Sequence, residues 1–173
     1  MGSEHGGRGG VNSDRDYVVW GRRPVAEALE SGHAVNKIIM VRDAGDPRIL
    51  AAARARQIPV SEIDRQGLER AAAEVGAGNH QGVLAYLSPI EYVELDDVLE
   101  AARAAGEDAF IVVLDGIEDP QNLGSIIRTA NAAGAHGVVI PARRSSPVSP
   151  AAVRASAGAA AHTPVARVTN TVR

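Results

Sequence analysis

Apolar residues along this chain fall into short blocks of two kinds. Residues 18–20 (VVW), 37–41 (KIIMV), 58–60 and 83–87 (VLAYL) are compact apolar runs, the pattern of buried strands. Between them the apolar positions recur at helical spacing. Val25, Ala28 and Leu29 share one face of a helix that uses Pro24 in its first turn and ends at Gly32. Pro47 opens a second helix that reaches about Arg56. Asp64 caps a third, with Leu68, Ala71, Ala72 and Val75 on its apolar stripe. Residues 17–88 are therefore expected to form one small α/β unit. Residues 89–94 contain Pro89 and carry no helical period, and read as a linker.

The alternation resumes from residue 95 to the end. Leu95, Val98, Leu99 and Ala102 give the inward face of a helix over 95–105. Residues 110–114 (FIVVL) form a fully apolar strand, 137–140 the next, and 165–168 the last. Ser149 or Pro150 starts an Ala-rich helix between the last two. This second unit, 95–173, is expected to be a doubly wound α/β sheet. Residues 1–16 are Gly-rich and polar, and read as a disordered tail.

Composition narrows the function classes. Only 3% of residues are aromatic, so the core must be built from Ala, Val, Leu and Ile, and single-strand binding on aromatic platforms is disfavoured. The chain has no Cys, which excludes disulfides, thiolate metal sites and Cys nucleophiles, and suits a cytoplasmic location. No apolar run approaches the ~20 residues of a membrane span. The five His show no ligand spacing, so no metal site is expected. The net charge of −3 conceals an asymmetry: from residue 121 onward there are six Arg and no acidic residue. Such a segment points to an anionic partner; the bland alternative is Arg usage in an Ala-rich sequence.

Chemistry is concentrated in residues 110–134, FIVVLDGIEDPQNLGSIIRTANAAG. The strand ends at Asp115-Gly116, and ligand sites of parallel sheets lie beyond strand carboxyl ends. Asp119-Pro120 is a helix-start pair, so the Asn122 amide falls in the loop or first turn. Gly124 removes a side chain where something can approach the backbone closely. Ile126, Ile127 and Ala130 make the apolar stripe of the helix, while Arg128 and Asn131, three apart, share a polar face. An ordinary capped helix with a solvated Arg128 would read the same way.

The full segment LDGIEDPQNLGSIIRTANAAG resembles motif 1 of the SpoU/TrmH family of SPOUT-class RNA ribose 2′-O-methyltransferases. PARRSSPVSPAAVRASAGAAAHTPVARVTN downstream, and GRRPVAEAL and NHQGV upstream, are also similar to this family. They most resemble the branch that methylates a guanosine ribose in large-subunit ribosomal RNA. The resemblance implies a ribosomal-protein-like RNA substrate-binding domain followed by a SPOUT parallel-sheet domain. It implies S-adenosylmethionine as methyl donor, ribosomal RNA as partner, and a homodimer for the complete family member. It implies a catalytic role for Arg128, which matches the family's motif 1 Arg, and for Asn122, which matches its Asn. An arginine is always charged, so alkoxide stabilisation suits Arg128 better than proton abstraction.

Family members continue beyond RVTN into a second and a third motif that tie a trefoil knot and supply the cofactor pocket. This chain stops at Arg173 without them, so it is expected to be truncated, to lack the knot-forming part and most of the pocket, and to leave apolar surface on its second unit. No G-x-G-x-x-G replaces that pocket. Arg22, Arg23 and His80 in the first unit, and Arg143 and Arg144 in the second, are the candidate RNA contacts; turn chemistry and solvated loops are their ordinary alternatives. The competing functions are a non-enzymatic RNA-binding protein and a nucleotide binder with a Rossmann-like sheet.

Overall fold

The computed structural model describes residues 17–42, 45–169 and 171. The expected tail, 1–16, lies outside them. Seven strands form two sheets among the described residues.

The first sheet has the order β1-β4-β2-β3 and comprises β1 (Val18–Trp20), β2 (Val35–Val41), β3 (Val60–Ile63) and β4 (Val83–Leu87). β4 runs antiparallel to both β1 and β2, while β2 and β3 are parallel. The period of two along a strand sorts the core onto two faces. Ile38, Met40, Val83 and Ala85 pack against Val25 and Leu29 of α1 (Arg22–Glu30) and Ile49 and Ala53 of α2 (Pro47–Ala55). Ile39, Val41, Leu84 and Tyr86 turn to the opposite face, against Leu68 and Ala72 of α3 (Arg65–Val75). Asp46 and Asp64 cap α2 and α3, accepting from the backbone N–H groups of Arg48 at 2.9 Å and Gly67 at 2.7 Å.

One strand sits later than its hydrophobicity suggests. The apolar run at 58–60 is not the strand; β3 starts at Val60. Gln57 turns in the left-handed region (φ 53°), burying Ile58 before the strand, and Pro59 has no N–H to give the ladder.

The second sheet is wholly parallel, in the order β5-β6-β7: β5 (Ile111–Val113), β6 (Gly137–Pro141) and β7 (Val165–Val168). Val138 and Ile140 meet Leu123 and Ile127 of α5 (Pro120–Ala132) and Ala152 of α6 (Pro150–Ala155). Val139 faces the other way, onto Val98 of α4 (Leu95–Ala105). α4 packs so closely on this sheet that a Cβ on Gly137 would lie 2.7 Å from a Val98 methyl. Two expectations need correction. Leu95 does not face inward but is exposed; Val98 and Ala102 carry that face. The apolar run at 110–114 is an edge, because only β6 pairs with β5 among the described residues; Phe110 and Val113 are 45% and 58% exposed.

Residues 88–94 are docked rather than loose. Val93 bridges Ala166 of β7, its N–H donating to the Val165 carbonyl at 3.0 Å. Beside it, Asn36 occupies a bulge in β2, where the register shifts between Val35 and Lys37. The bulge re-aims a side chain: Asn36 is buried and donates to the carbonyls of Leu87 at 3.2 Å and Val148 at 2.9 Å. The Tyr92 hydroxyl completes the cluster of bonds, donating to Asn36 Oδ1 at 2.7 Å and accepting from the Val148 N–H at 3.0 Å. Its burial pushes the phenol pKa above the usual tyrosine value, an effect opposed by nearby Arg167. Replacing Tyr92 with Phe strands a buried donor and a buried acceptor together. The expected loss is about 1–3 kcal/mol, read as a lower urea midpoint; an unchanged midpoint would remove this hydroxyl from the junction.

Candidate active site

Strand β5 ends below a loop, residues 114–119, that delivers the chain to α5. Asp119 begins the helix by accepting from the N–H groups of Gln121 at 2.6 Å and Asn122 at 3.3 Å, with Pro120 at its first position. Asn122 therefore lies in the first turn, and its side chain is exposed. Because β5 and β6 are parallel, the loop after β6 leaves the same end of the sheet. The two loops touch: the Ser146 N–H donates to the Ile117 carbonyl at 2.6 Å, and Ser145 Oγ to the same carbonyl at 3.3 Å. This brings Arg143 and Arg144, both exposed, to the end of the sheet that carries Asn122.

Arg128 stands further along α5. Six helical positions separate it from Asn122, a rise of about 9 Å and about a third of a turn in direction, so the two lie on different faces. One turn before Arg128, Gly124 presses on α6; one turn after it, Asn131 donates to Thr163 Oγ1 at 3.0 Å. Arg128 thus borders the seam between α5 and the segment from α6 to Thr163. It is exposed, and no hydrogen bond or ion pair engages its guanidinium among the described residues. Asn131 lies exposed one turn from Arg128, on the polar face expected for the pair, and its amide is occupied with Thr163. The groove beside α5, of about 300 Å³, is lined by Phe110, Val112, Ser125, Ile126, Thr129 and Ala130 among others, and by neither Arg128 nor Asn122.

Two of the three candidates of the first unit, Arg22 and His80, line a different groove, of about 760 Å³, together with Arg65, Glu69, Asn79 and Gln81 among others. Gln81 Oε1 accepts from the Arg22 N–H at 3.1 Å, tying the start of α1 to the turn before β4. The His80 ring is mostly covered: its Nδ1 accepts from the Gly82 N–H at 3.2 Å, and its Nε2 lies 3.6 Å from a Glu69 carboxylate oxygen. Arg23 points elsewhere and pairs with Glu27 at 2.9 Å on the exposed side of α1.

The residues that join the units were not among the candidates. Arg167 of β7 donates to the carbonyls of Val35 at 3.0 Å, Asn36 at 2.7 Å and Ala142 at 3.5 Å, and lies 5.3 Å from the centre of the Tyr92 ring. Burial lowers its pKa, but an arginine keeps its charge. An Arg inside an apolar strand was the available signal.

Residues 18–93 match the family described as RNA 2′-O ribose methyltransferase substrate binding, and residues 109–173 match the SpoU rRNA methylase family. A Bacillus subtilis (strain 168) protein named as a TrmH family tRNA/rRNA methyltransferase is 40% identical over 166 residues, covering 94% of this chain and 65% of that protein. An uncharacterized tRNA/rRNA methyltransferase of Mycolicibacterium vanbaalenii is 42% identical over 165 residues, covering 93% and 52%. Among solved structures, an rRNA methyltransferase from Sinorhizobium meliloti with AdoMet bound is 29% identical at a TM-score of 0.40, covering 88% of this chain and 54% of that one. The chain thus spans between about half and two thirds of the length of these relatives. Along one polypeptide, a match to the RNA 2′-O ribose methyltransferase substrate-binding family is followed by a match to the SpoU rRNA methylase family, so both units of the chain are similar to SpoU/TrmH RNA methyltransferases.

Proposed function

We propose that this chain is the RNA-facing portion of an S-adenosylmethionine-dependent RNA ribose 2′-O-methyltransferase that acts on large-subunit ribosomal RNA as a homodimer. The observation that carries the reading is Arg128: an exposed guanidinium without a protein partner among the described residues, on a helix within residues 109–173, the region that matches the SpoU rRNA methylase family. The ribose 2′-hydroxyl would give up its proton to solvent as its oxygen accepts the methyl group that S-adenosylmethionine would supply. Charge develops on the 2′-oxygen as the proton departs, and Arg128 is assigned to stabilise it. Asn122 is assigned to hydrogen-bond the nucleotide at the start of the same helix. S-adenosylmethionine supplies the electrophilic methyl. The groove beside α5, about 300 Å³ and lined by Phe110, Val112, Ser125, Ile126, Thr129 and Ala130 among others, offers no charged group to a sulfonium or to its amino-acid tail, and none of the described residues is assigned to hold it.

Methyl transfer tests the reading, in a polypeptide that also carries the family's second and third motifs. Labelled methyl is expected in large-subunit RNA, recovered after nuclease digestion as a 2′-O-methyl nucleoside. Label on a base, or none at all, would overturn it. The position of Arg128 outside the groove beside α5 also favours a second reading, in which these residues bind RNA without transfer. Isothermal titration of the polypeptide with all three motifs separates the two: adenosylmethionine binding supports the enzyme, and RNA binding without it supports the binding module.

A further inference from the structure

The cleft between the two units is lined from both sides by cations. Lys37 of β2 comes from the first unit; Arg143, Arg144 and Arg167 come from the second. Its volume is about 420 Å³, and no carboxylate lines it. Two hydroxyls, Ser61 and Ser145, complete its polar wall.

Arg167 gives this cleft its character. Its guanidinium is largely buried, yet its partners among the described residues are three carbonyls and the Tyr92 ring. Carbonyl dipoles orient a guanidinium but do not neutralise it, and a buried charge is costly until an opposite charge meets it. A guanidinium has five N–H donors, and the three carbonyls do not exhaust them. Arg144 holds the left-handed backbone region at φ 56°, where a side chain is strained. Lys37 rests its ammonium 4.5 Å from the centre of the Tyr86 ring, a weak partner that a phosphate would displace.

We propose that this cleft binds the phosphodiester backbone of the substrate RNA, which crosses here from the substrate-binding unit to the methylase unit. The inference rests on the RNA reading above and adds a site to it. A free mononucleotide offers similar phosphate chemistry. RNA is favoured because the cations are spread over two units and the lining offers no aromatic ring on which a base could stack. The Asn36–Tyr92–Val148 bonds fix the width of the cleft, so the backbone would be received by a preformed site.

The test is fluorescence anisotropy of this chain with a labelled large-subunit RNA hairpin across a salt series. The variant is Lys37→Gln/Arg143→Gln/Arg144→Gln; all three residues are exposed, so the fold should persist, and Arg167 is left in place. The control removes the same charge from Arg48, Arg54 and Arg103, exposed positions that do not line the cleft. The slope of log affinity against log salt is expected to flatten by about 2 in the cleft variant, roughly 0.7 for each phosphate no longer neutralised, and to change by less than half as much in the control. Equal change in both, or none in the cleft variant, would overturn the cleft while leaving the RNA reading intact. Wild-type protein that binds no RNA would overturn both. A titration with ATP separates the sources: tight ATP binding that disappears in the cleft variant would overturn the RNA assignment.

Discussion

Arg128→Ala, in a polypeptide with all three family motifs, is expected to lower ribose methylation by roughly 100- to 1,000-fold, the cost of removing one group that stabilises a developing oxyanion. The loss should fall on kcat. An interaction made only as charge develops leaves substrate binding almost unchanged, and the cations that line the interdomain cleft are separate from it. Stability should shift by no more than about 0.5 kcal/mol, because the side chain is exposed and no protein group engages it among the described residues. Arg128→Lys tells charge from geometry. Lysine keeps the charge but not the planar fork, so partial recovery would identify an electrostatic role, and none would identify bidentate positioning. Single-turnover transfer measures the chemical step, and anisotropy measures RNA affinity. Unchanged turnover in Arg128→Ala would sink the assignment; a fall in affinity that accounts for the whole loss would make Arg128 a binding residue.

Local chemistry made most of the elements legible. Asp46, Asp64, Asp119 and Ser149 are caps whose side chains accept from the N–H groups that a new helix leaves unpaired. The alternation through Ile38, Ile39 and Met40 sorts onto the two faces of the first sheet. What the sequence did not disclose depends on pairing between distant residues. Asn36 looks like an interruption in an apolar strand until β4 pairs beside it and the bulge turns its amide toward Val148, 112 positions away. Arg167 looks like one more cation of a basic segment, and only the docking of β7 against β2 turns it inward. The exposure of Phe110 and Val113 was equally hidden, because an edge strand and a central strand can share one composition. The candidate site was legible in part. Arg128 and Asn122 stood out as residue types, but their separation along α5 and the first unit's share of the cleft needed the fold.

Gly124 joins the two kinds of information, since its sequence context signals close approach without naming the approaching group. That group is α6. A Cβ at Gly124 would overlap the Ala152 carbonyl oxygen and lie 2.6 Å from Ala155 Cβ and 2.9 Å from the Ser156 N–H nitrogen. Two of these three are backbone atoms, so a rotamer change cannot relieve the clash; α6 has to move. Its freedom is small. Ser149 caps its start, Ser156 is fully buried beyond its end and accepts from the Ala160 N–H at 3.1 Å, and Val148 just before it is held by Asn36 and Tyr92. In an unconstrained helix, Gly→Ala stabilises by about 1 kcal/mol. Here overpacking, about 1–3 kcal/mol and more where the backbone must shift, opposes that gain, and Gly124→Ala is expected to destabilise by a net ~2 kcal/mol. Gly124→Val should cost more. The measurement is urea unfolding, with a lower midpoint at unchanged slope; a midpoint that rises, as helix propensity by itself dictates, would show that α5 and α6 are not in contact at this point. Because Arg128 lies one turn beyond Gly124 on the same seam, the proposed activity predicts that the substitution also slows methylation by a polypeptide with all three family motifs, under conditions where the protein is still folded.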